Sequence, residues 1–252
     1  MLIRDRQEQI LRLVNEKTRL AYADLTKIIG ISDSTLRRDL SELQKKGLLK
    51  LVRGGAESSC AMLGRGEELI DRRYHLNSCE KEIIGQRAAK LIKPDDLVFI
   101  DSGSTTEKMC EFIKERKATY INIGLKHVMI LSRSGLNAII APGKVKQLTE
   151  GLQGGFTIDF LSHFNFSIAF FGALGISEKG GLSTTDGEDA IIKSAVINRS
   201  AKSYVLSDHS KFGLDTAVSF GSLNSLTIIT NPGPHVTNYK DKANFIVANK
   251  NN

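Results

Sequence analysis

The chain has 252 residues, room for one large domain or two smaller ones with a sizeable core. Its 41% hydrophobic and 25% charged residues describe an ordinary soluble globular protein and exclude a low-complexity one. The net charge of +7 favours an anionic partner without naming it, since a basic surface also serves solubility.

The N-terminus, MLIRDRQEQI, is charged at once and has no apolar run of the signal-peptide kind. Arg4 to about Glu16 then carries Ile10, Leu11 and Val14 on one helical face. Ala23 to Ile29 reads as a second, short helix with Leu25, Ile28 and Ile29 apolar. Gly30 turns the chain, and Ser32 is a natural N-cap for a third helix from Asp33 to about Lys46. Thr35 stands where a capping box would need Glu or Gln. A helix, a short turn containing Gly and a second helix make a helix-turn-helix.

On the third helix Leu36, Leu40 and Leu43 share one face. Ser34, Arg38, Ser41 and Lys45 lie opposite, Arg37 on the flank, with Asp39 and Glu42 off to the side. Hydroxyls and bases on an outward face suit a DNA major groove. Arginine forks onto guanine, and Arg38 is the expected bidentate base contact; Ser32, Ser34 and Thr35 can reach bases or phosphates. Taken alone, an Arg-Arg pair is better explained by a solvated face; the three-helix order, the Gly-Ile-Ser turn and the basic run after Gly47 together favour DNA. After Gly47, the run LLKLVRGGA reads as a small hairpin with Lys50 and Arg53 projecting, the shape of a wing that touches phosphates.

Three expected segments follow: a DNA-binding domain over 1–57, a linker over 58–74 and an α/β domain over 75–252. In the last, short β-rich runs (LVFID, TYINI, AIIAP, FSIAFFGAL, SYVLSD, LTIIT) alternate with helical ones, which predicts a mostly parallel sheet. The tail holds one further apolar run, FIVA. Three stretches carry possible chemistry. In LVFIDSGSTTEKMCEFI a strand ends in Asp101, and Ser102, Gly103, Ser104, Thr105 and Thr106 form a loop opening a helix from Glu107. Unpaired N–H groups at that helix start would hold an anion; a plain β–loop–α corner is the alternative. In FFGALGISEKGGLSTTDGEDAIIKSAV, Gly172 follows a strand, Glu188 and Asp189 open a helix, and Lys193 lies one turn on. In SYVLSDHSKFG, Asp208, Ser210 and Lys211 follow a strand at its carboxyl end, where α/β sheets bind ligands.

Cys60, Cys79 and Cys110 form no CxxC pair, so reduced cytosolic thiols and no metal site are expected. The most apolar run, FNFSIAFFGALGI, is too short and polar to span a bilayer.

The stretch from Arg6 to Ala56, with Thr35, Arg37, Arg38, Asp39, Leu40, Gly47, Arg53, Gly54 and Gly55 in place, resembles the DNA-binding domain of the DeoR family of bacterial transcription regulators. EKEIIGQRAAKLIKPDDLVFIDSGSTT, from Glu80, resembles the sensor domain of the same family, and the likeness runs to Asn231. The resemblance implies a winged helix-turn-helix followed by an α/β domain similar to ribose-5-phosphate isomerase. It implies a cytoplasmic repressor of sugar-utilisation genes, released from double-stranded operator DNA by a phosphorylated sugar. Two-fold operator symmetry normally mirrors a dimeric protein, so a homo-oligomer, dimer or tetramer, is expected, with no cofactor, no membrane partner and no enzyme activity. The resemblance adds Lys81 and Asn122 to an effector pocket shared by the three loops. Ser104, Lys144, Ser167 and Ile168 depart from the family pattern around that pocket. The competing class is a sugar-phosphate isomerase-like enzyme with a helical appendage, using Asp101, Glu188, Asp208 and Lys211 in acid–base work.

Overall fold

The structure is a computed structural model that describes residues 3–17, 19–45, 48–58, 73, 76–233 and 235–249. It divides into two compact units, Met1–Asn77 and Ser78–Asn252. Most of the stretch expected as a linker, together with Lys46, Gly47 and Cys60, lies outside the described residues.

In the first unit α1 (Ile3–Lys17), α2 (Tyr22–Ile29) and α3 (Asp33–Lys45) each turn one apolar stripe inward. Ile10, Leu11 and Val14 meet Leu25 and Ile29, and Leu36, Leu40 and Leu43 complete the cluster. Gly30 sits at φ +73 and makes the turn between α2 and α3 that a Cβ would strain. Ser32 caps α3: its Oγ accepts the Thr35 N–H at 3.3 Å. The wing is β2 (Leu49–Val52) paired antiparallel with β3 (Gly55–Ser58). A third strand, β1 (Arg19–Ala21), joins β3 through Leu20 opposite Ala56. Three residues are too few for a period, so β1 left no mark in the sequence. Leu76 packs into this same core, so the unit reaches past the boundary expected at residue 57.

The second unit is built on seven parallel strands in the order β15-β14-β12-β9-β4-β5-β6. These are β4 (Leu97–Ile100), β5 (Thr119–Asn122), β6 (Asn137–Ile140), β9 (Ile168–Gly172), β12 (Ser203–Leu206), β14 (Thr227–Thr230) and β15 (Asn244–Val247). The run FIVA is the edge strand β15, parallel to β14. Alternate residues feed two cores. Phe99, Ile121, Phe171 and Val205 face one side, under α7 (Gly155–Ser162) and α8 (Gly187–Ile197). Val98, Ile100, Tyr120, Phe170 and Leu206 face the other, under α4 (Ser78–Ala89), α5 (Ser104–Cys110) and α6 (Leu125–Arg133). Burial on both faces is why these strands read as unbroken apolar runs.

Helix α4 lies so close on α5 that a Cβ at Gly85 would stand 2.9 Å from the Met109 nitrogen. A hairpin of β7 (Lys144–Lys146) and β8 (Gly151–Gln153) lies apart from the main sheet. So does an antiparallel sheet of β10 (Gly175–Ser177), β11 (Gly181–Thr184) and β13 (Val218–Gly221). From β4 the chain adds β5 and β6 on one side, then from β9 adds β12, β14 and β15 on the other. The order therefore reverses between β4 and β9, the switch point at which open α/β sheets form a ligand crevice.

Candidate DNA-reading face and effector site

On α3 the outward residues Ser34, Arg37, Arg38, Ser41 and Lys45 are exposed, as are Lys50 and Arg53 on the wing. Gln44 ties the wing to α3 by accepting the Leu51 N–H at 3.2 Å. The Ser32 hydroxyl lies 2.8 Å from that of Thr35 and 3.1 Å from that of Ser34, so these side chains are already drawn into the cap. Asp39 was expected beside the outward face with Glu42. It is instead buried, and both its oxygens take Arg6 of α1, at 2.5 and 3.1 Å. Glu42 accepts from Gln7 at 2.8 Å. The reason is helical geometry: Asp39 lies three residues after Leu36, on the side that α1 covers. Its partner is 33 residues away and cannot be read locally.

In the sensor unit, Asp101 follows β4 at the switch point and is buried. Its carboxylate accepts the N–H of Gly172, at the end of β9, and that of Ser102, each at 2.8 Å. It also pairs with Lys193 of α8. Burial works to raise the Asp101 pKa, yet Lys193 and the two N–H groups hold it below its ordinary value. Lys193 reaches Asp189 as well, at 3.3 Å, and Asp189 accepts from the Thr184 hydroxyl at 2.7 Å. Burial raises the Asp189 pKa; it pulls Lys193 down, but the two carboxylates more than restore it. Asp101 was expected to face a sugar, and its oxygens are taken by neighbours instead. Glu188 was expected in the pocket and is exposed; Asp189, beside it, is the acid that turns inward. Lys193 was missed as a site residue. Its spacing of four from Asp189 was a signal, but Asp101 is 92 residues away.

The helix expected from Glu107 begins at Ser104, and the loop before it is only Ser102 and Gly103. Thr106 starts it early: its Oγ1 accepts the Gly103 N–H at 2.9 Å and lies 2.7 Å from the Asp101 and Gly103 carbonyl oxygens. Thr106 is therefore committed to the turn. Ser104 and Thr105 are buried at the first turn of α5. His127, unanticipated, lies with Nε2 3.1 Å from both Thr106 Oγ1 and the Gly103 oxygen. Burial pushes its pKa down to about 4, against the pull of Asp101, so the ring is neutral at pH 7.

A second cluster stands at the carboxyl end of β12. Asp208 is buried and accepts the Ser210 N–H at 3.0 Å and its hydroxyl. Burial would raise its pKa, but Lys211, then Lys81 of α4, then Ser210 hold it below its ordinary value. Lys81 is itself buried. Strand β9 separates β12 from β4, so the Asp208 and Asp101 clusters are two strand spacings apart, about 10 Å. Asn122, at the end of β5, is fully buried and donates to the Ile139 oxygen at 3.0 Å. Its Oδ1 has no partner among the described residues, nor has the buried Ser207 hydroxyl at the end of β12.

Residues 6–60 match the family model for a DeoR-like helix-turn-helix domain, and residues 76–232 match that for the DeoR C terminal sensor domain. The chain belongs to the DeoR family. Among relatives of this DeoR-family regulator is the uncharacterized HTH-type transcriptional regulator FruR of Bacillus subtilis, 30% identical over 96% of this chain and 97% of that one. Another is the lactose phosphotransferase system repressor of Staphylococcus epidermidis, 32% identical over 89% of this chain and 90% of that one. Solved structures similar in part include ribose 5-phosphate isomerase A of Methanocaldococcus jannaschii, with a TM-score of 0.41 and 19% identity over 54% of this chain and 55% of that one. The full-length sorbitol operon regulator SorC of Klebsiella pneumoniae gives a TM-score of 0.38 and 13% identity over 81% of this chain and 89% of that one. Among the described residues of the DeoR-family chain, no helix is long and apolar enough to cross a membrane.

Proposed function

We propose that this DeoR-family regulator represses sugar-utilisation genes and leaves its operator when a phosphorylated sugar enters the switch-point crevice. The observation that carries the reading is the likeness to lactose phosphotransferase system repressors across both units. The first unit, with the DNA-binding domain over 1–57, meets the operator through α3 and the wing. The sensor domain then runs from Ser78, since Leu76 packs in the core of the first unit. Operators with two-fold symmetry call for at least a dimer.

The effector site joins the two clusters. Lys81 and Lys211 supply positive charge beside Asp208, which suits a phosphate with sugar hydroxyls on the carboxylate. Lys81 comes from α4, the helix packed on α5 at Met109. Asn122 has an acceptor to spare at the neighbouring strand end. An enzyme reading is disfavoured because Asp101, its best acid–base candidate, is already spoken for by Lys193, Gly172 and Ser102.

The test is a thermal-shift screen of the whole protein against pentose and hexose phosphates, followed by operator binding with each hit. A ligand at 100 times its Kd should add about 2.7 kcal/mol to the native state. The same ligand should lower operator affinity by the factor that operator lowers ligand affinity, since coupling is reciprocal. A panel in which no sugar phosphate stabilises the protein or releases DNA would overturn the effector reading.

A further inference from the structure

Arg37 and Arg38 are neighbours on α3, yet the fold holds them differently. The Arg38 side chain is 84% exposed, and its nearest acid is Glu42 at 3.8 Å. An exposed pair at that distance restrains a long side chain very little. Arg37 is held twice. Its Nε donates to Asp33 Oδ2 at 2.8 Å, one turn back on the same helix. Its guanidinium carbon lies 4.8 Å from the centre of the Tyr22 ring. Tyr22 is anchored in turn, its N–H bonded to the Gly54 oxygen of the wing turn at 3.0 Å.

These contacts do separate things. The Tyr22 ring sets the position of the guanidinium. The Asp33 bond sets its rotation and uses one of five N–H donors. Among the described residues none takes Nη1 or Nη2. What remains is the two-nitrogen end, on a side chain still 59% exposed. It stands near the start of α3, and the N-terminal residues of a recognition helix are those that meet base edges.

We infer that Arg37, rather than Arg38, reads a guanine, its Nη pair forking onto O6 and N7 in the major groove, with Asp33 and Tyr22 as positioning residues. This rests on the DNA-binding reading of the first unit. A free arginine must give up rotamer freedom to make a bidentate contact; Arg37 has given it up before DNA arrives. A held fork also resists swinging to a phosphate, whereas Arg38 is free to do so. Asp33 adds a second effect. Its carboxylate stands beside the DNA-facing surface and repels phosphates, which weakens binding to every sequence alike; the gap in favour of the right one comes from the fork that it holds in place. Arg38 is left as a phosphate contact, which adds affinity without reading sequence.

The experiment uses the full chain and an operator selected by the wild-type protein from a random duplex pool. Binding is measured across a salt series to that operator, to variants with each guanine replaced, and to a random duplex. Arg37→Lys keeps the charge and removes the fork. It should cut the operator-to-random affinity ratio roughly 5- to 140-fold, at one guanine, with the salt slope unchanged. Arg38→Ala should weaken both duplexes alike and lower the slope by about 0.9. Asp33→Ala should tighten the random duplex and shrink the ratio; Tyr22→Leu should shrink the ratio without that tightening. An Arg37→Lys protein with the wild-type ratio overturns the assignment. So does an Asp33→Ala protein that gains operator and random affinity by one factor, since Asp33 is then only a charge. A wild-type protein that selects no sequence at all removes the DNA-binding reading, and this inference with it.

Discussion

Replacing Lys193 with Met removes the cation of a buried ion pair and leaves its carboxylates behind. Losing one partner of such a pair costs about 3–5 kcal/mol. Where in that range the variant falls follows from the surroundings. The Lys193 side chain is 5% exposed and that of Asp101 is 3%, so water cannot replace the lost charge. Asp101 keeps the N–H groups of Gly172 and Ser102, and Asp189 is 21% exposed, which places the loss at the lower end, about 3 kcal/mol at pH 7.

Protonation sets a ceiling. A stranded carboxyl with an ordinary pKa of 3.8 can take a proton for about 4 kcal/mol at pH 7 and about 1.6 kcal/mol at pH 5. The loss should therefore fall below about 2 kcal/mol at pH 5. In the wild type Asp101 is shifted down, so its contribution is present at neutral pH and disappears as pH falls through the lowered value. Lys193 is shifted up, so its contribution is lost only as pH rises through a value above 10.5. Between those limits the pair's contribution is level. In the variant the folded state binds the proton more readily than the unfolded one, so stability falls as pH rises. The chain has no Trp, so amide hydrogen exchange in β4 and β9 under urea is the suitable measurement. A loss under about 1 kcal/mol at pH 7, or one equal at pH 5 and pH 7, would refute the reasoning.

Leu76→Ala should destabilise the first unit by about 2–5 kcal/mol in chemical denaturation, because Leu76 fills its core. A fragment ending at residue 57 should be weakened for the same reason. Lys211→Ala should weaken sugar-phosphate binding roughly tenfold or more by calorimetry, as expected for losing one charge-assisted contact. Lys50→Ala and Arg53→Ala should each lower the salt slope of DNA binding by about 0.9 while leaving the preferred sequence unchanged, as phosphate contacts do.

Much of the first unit is written locally. The stripe Leu36, Leu40 and Leu43 and the Ser32 cap depend on residues at most a turn or two apart, and periodicity and turn chemistry report such spacing directly. The strands of the sensor sheet are legible for a similar reason, since burial on both faces leaves an unbroken apolar run. The alternation of those runs with helices also pointed to the parallel sheet, and Asp101, Gly172 and Asp208 do stand at the carboxyl ends of β4, β9 and β12, where the sequence expected them.

Which polar side chains remain available at the sites was decided elsewhere. Asp39 is consumed by Arg6, 33 residues back, and Asp101 by Lys193, 92 residues on. Arg37 is held by Tyr22, which the turn at Gly30 folds back onto α3, and Arg38 is not. A carboxylate beside a base reads the same in sequence whether it waits for a ligand or is already paired. The order of strands and the packing of α8 and α1 settle the matter, because ionic and hydrogen-bond partners are chosen by distance in space, and only the folded chain sets that distance.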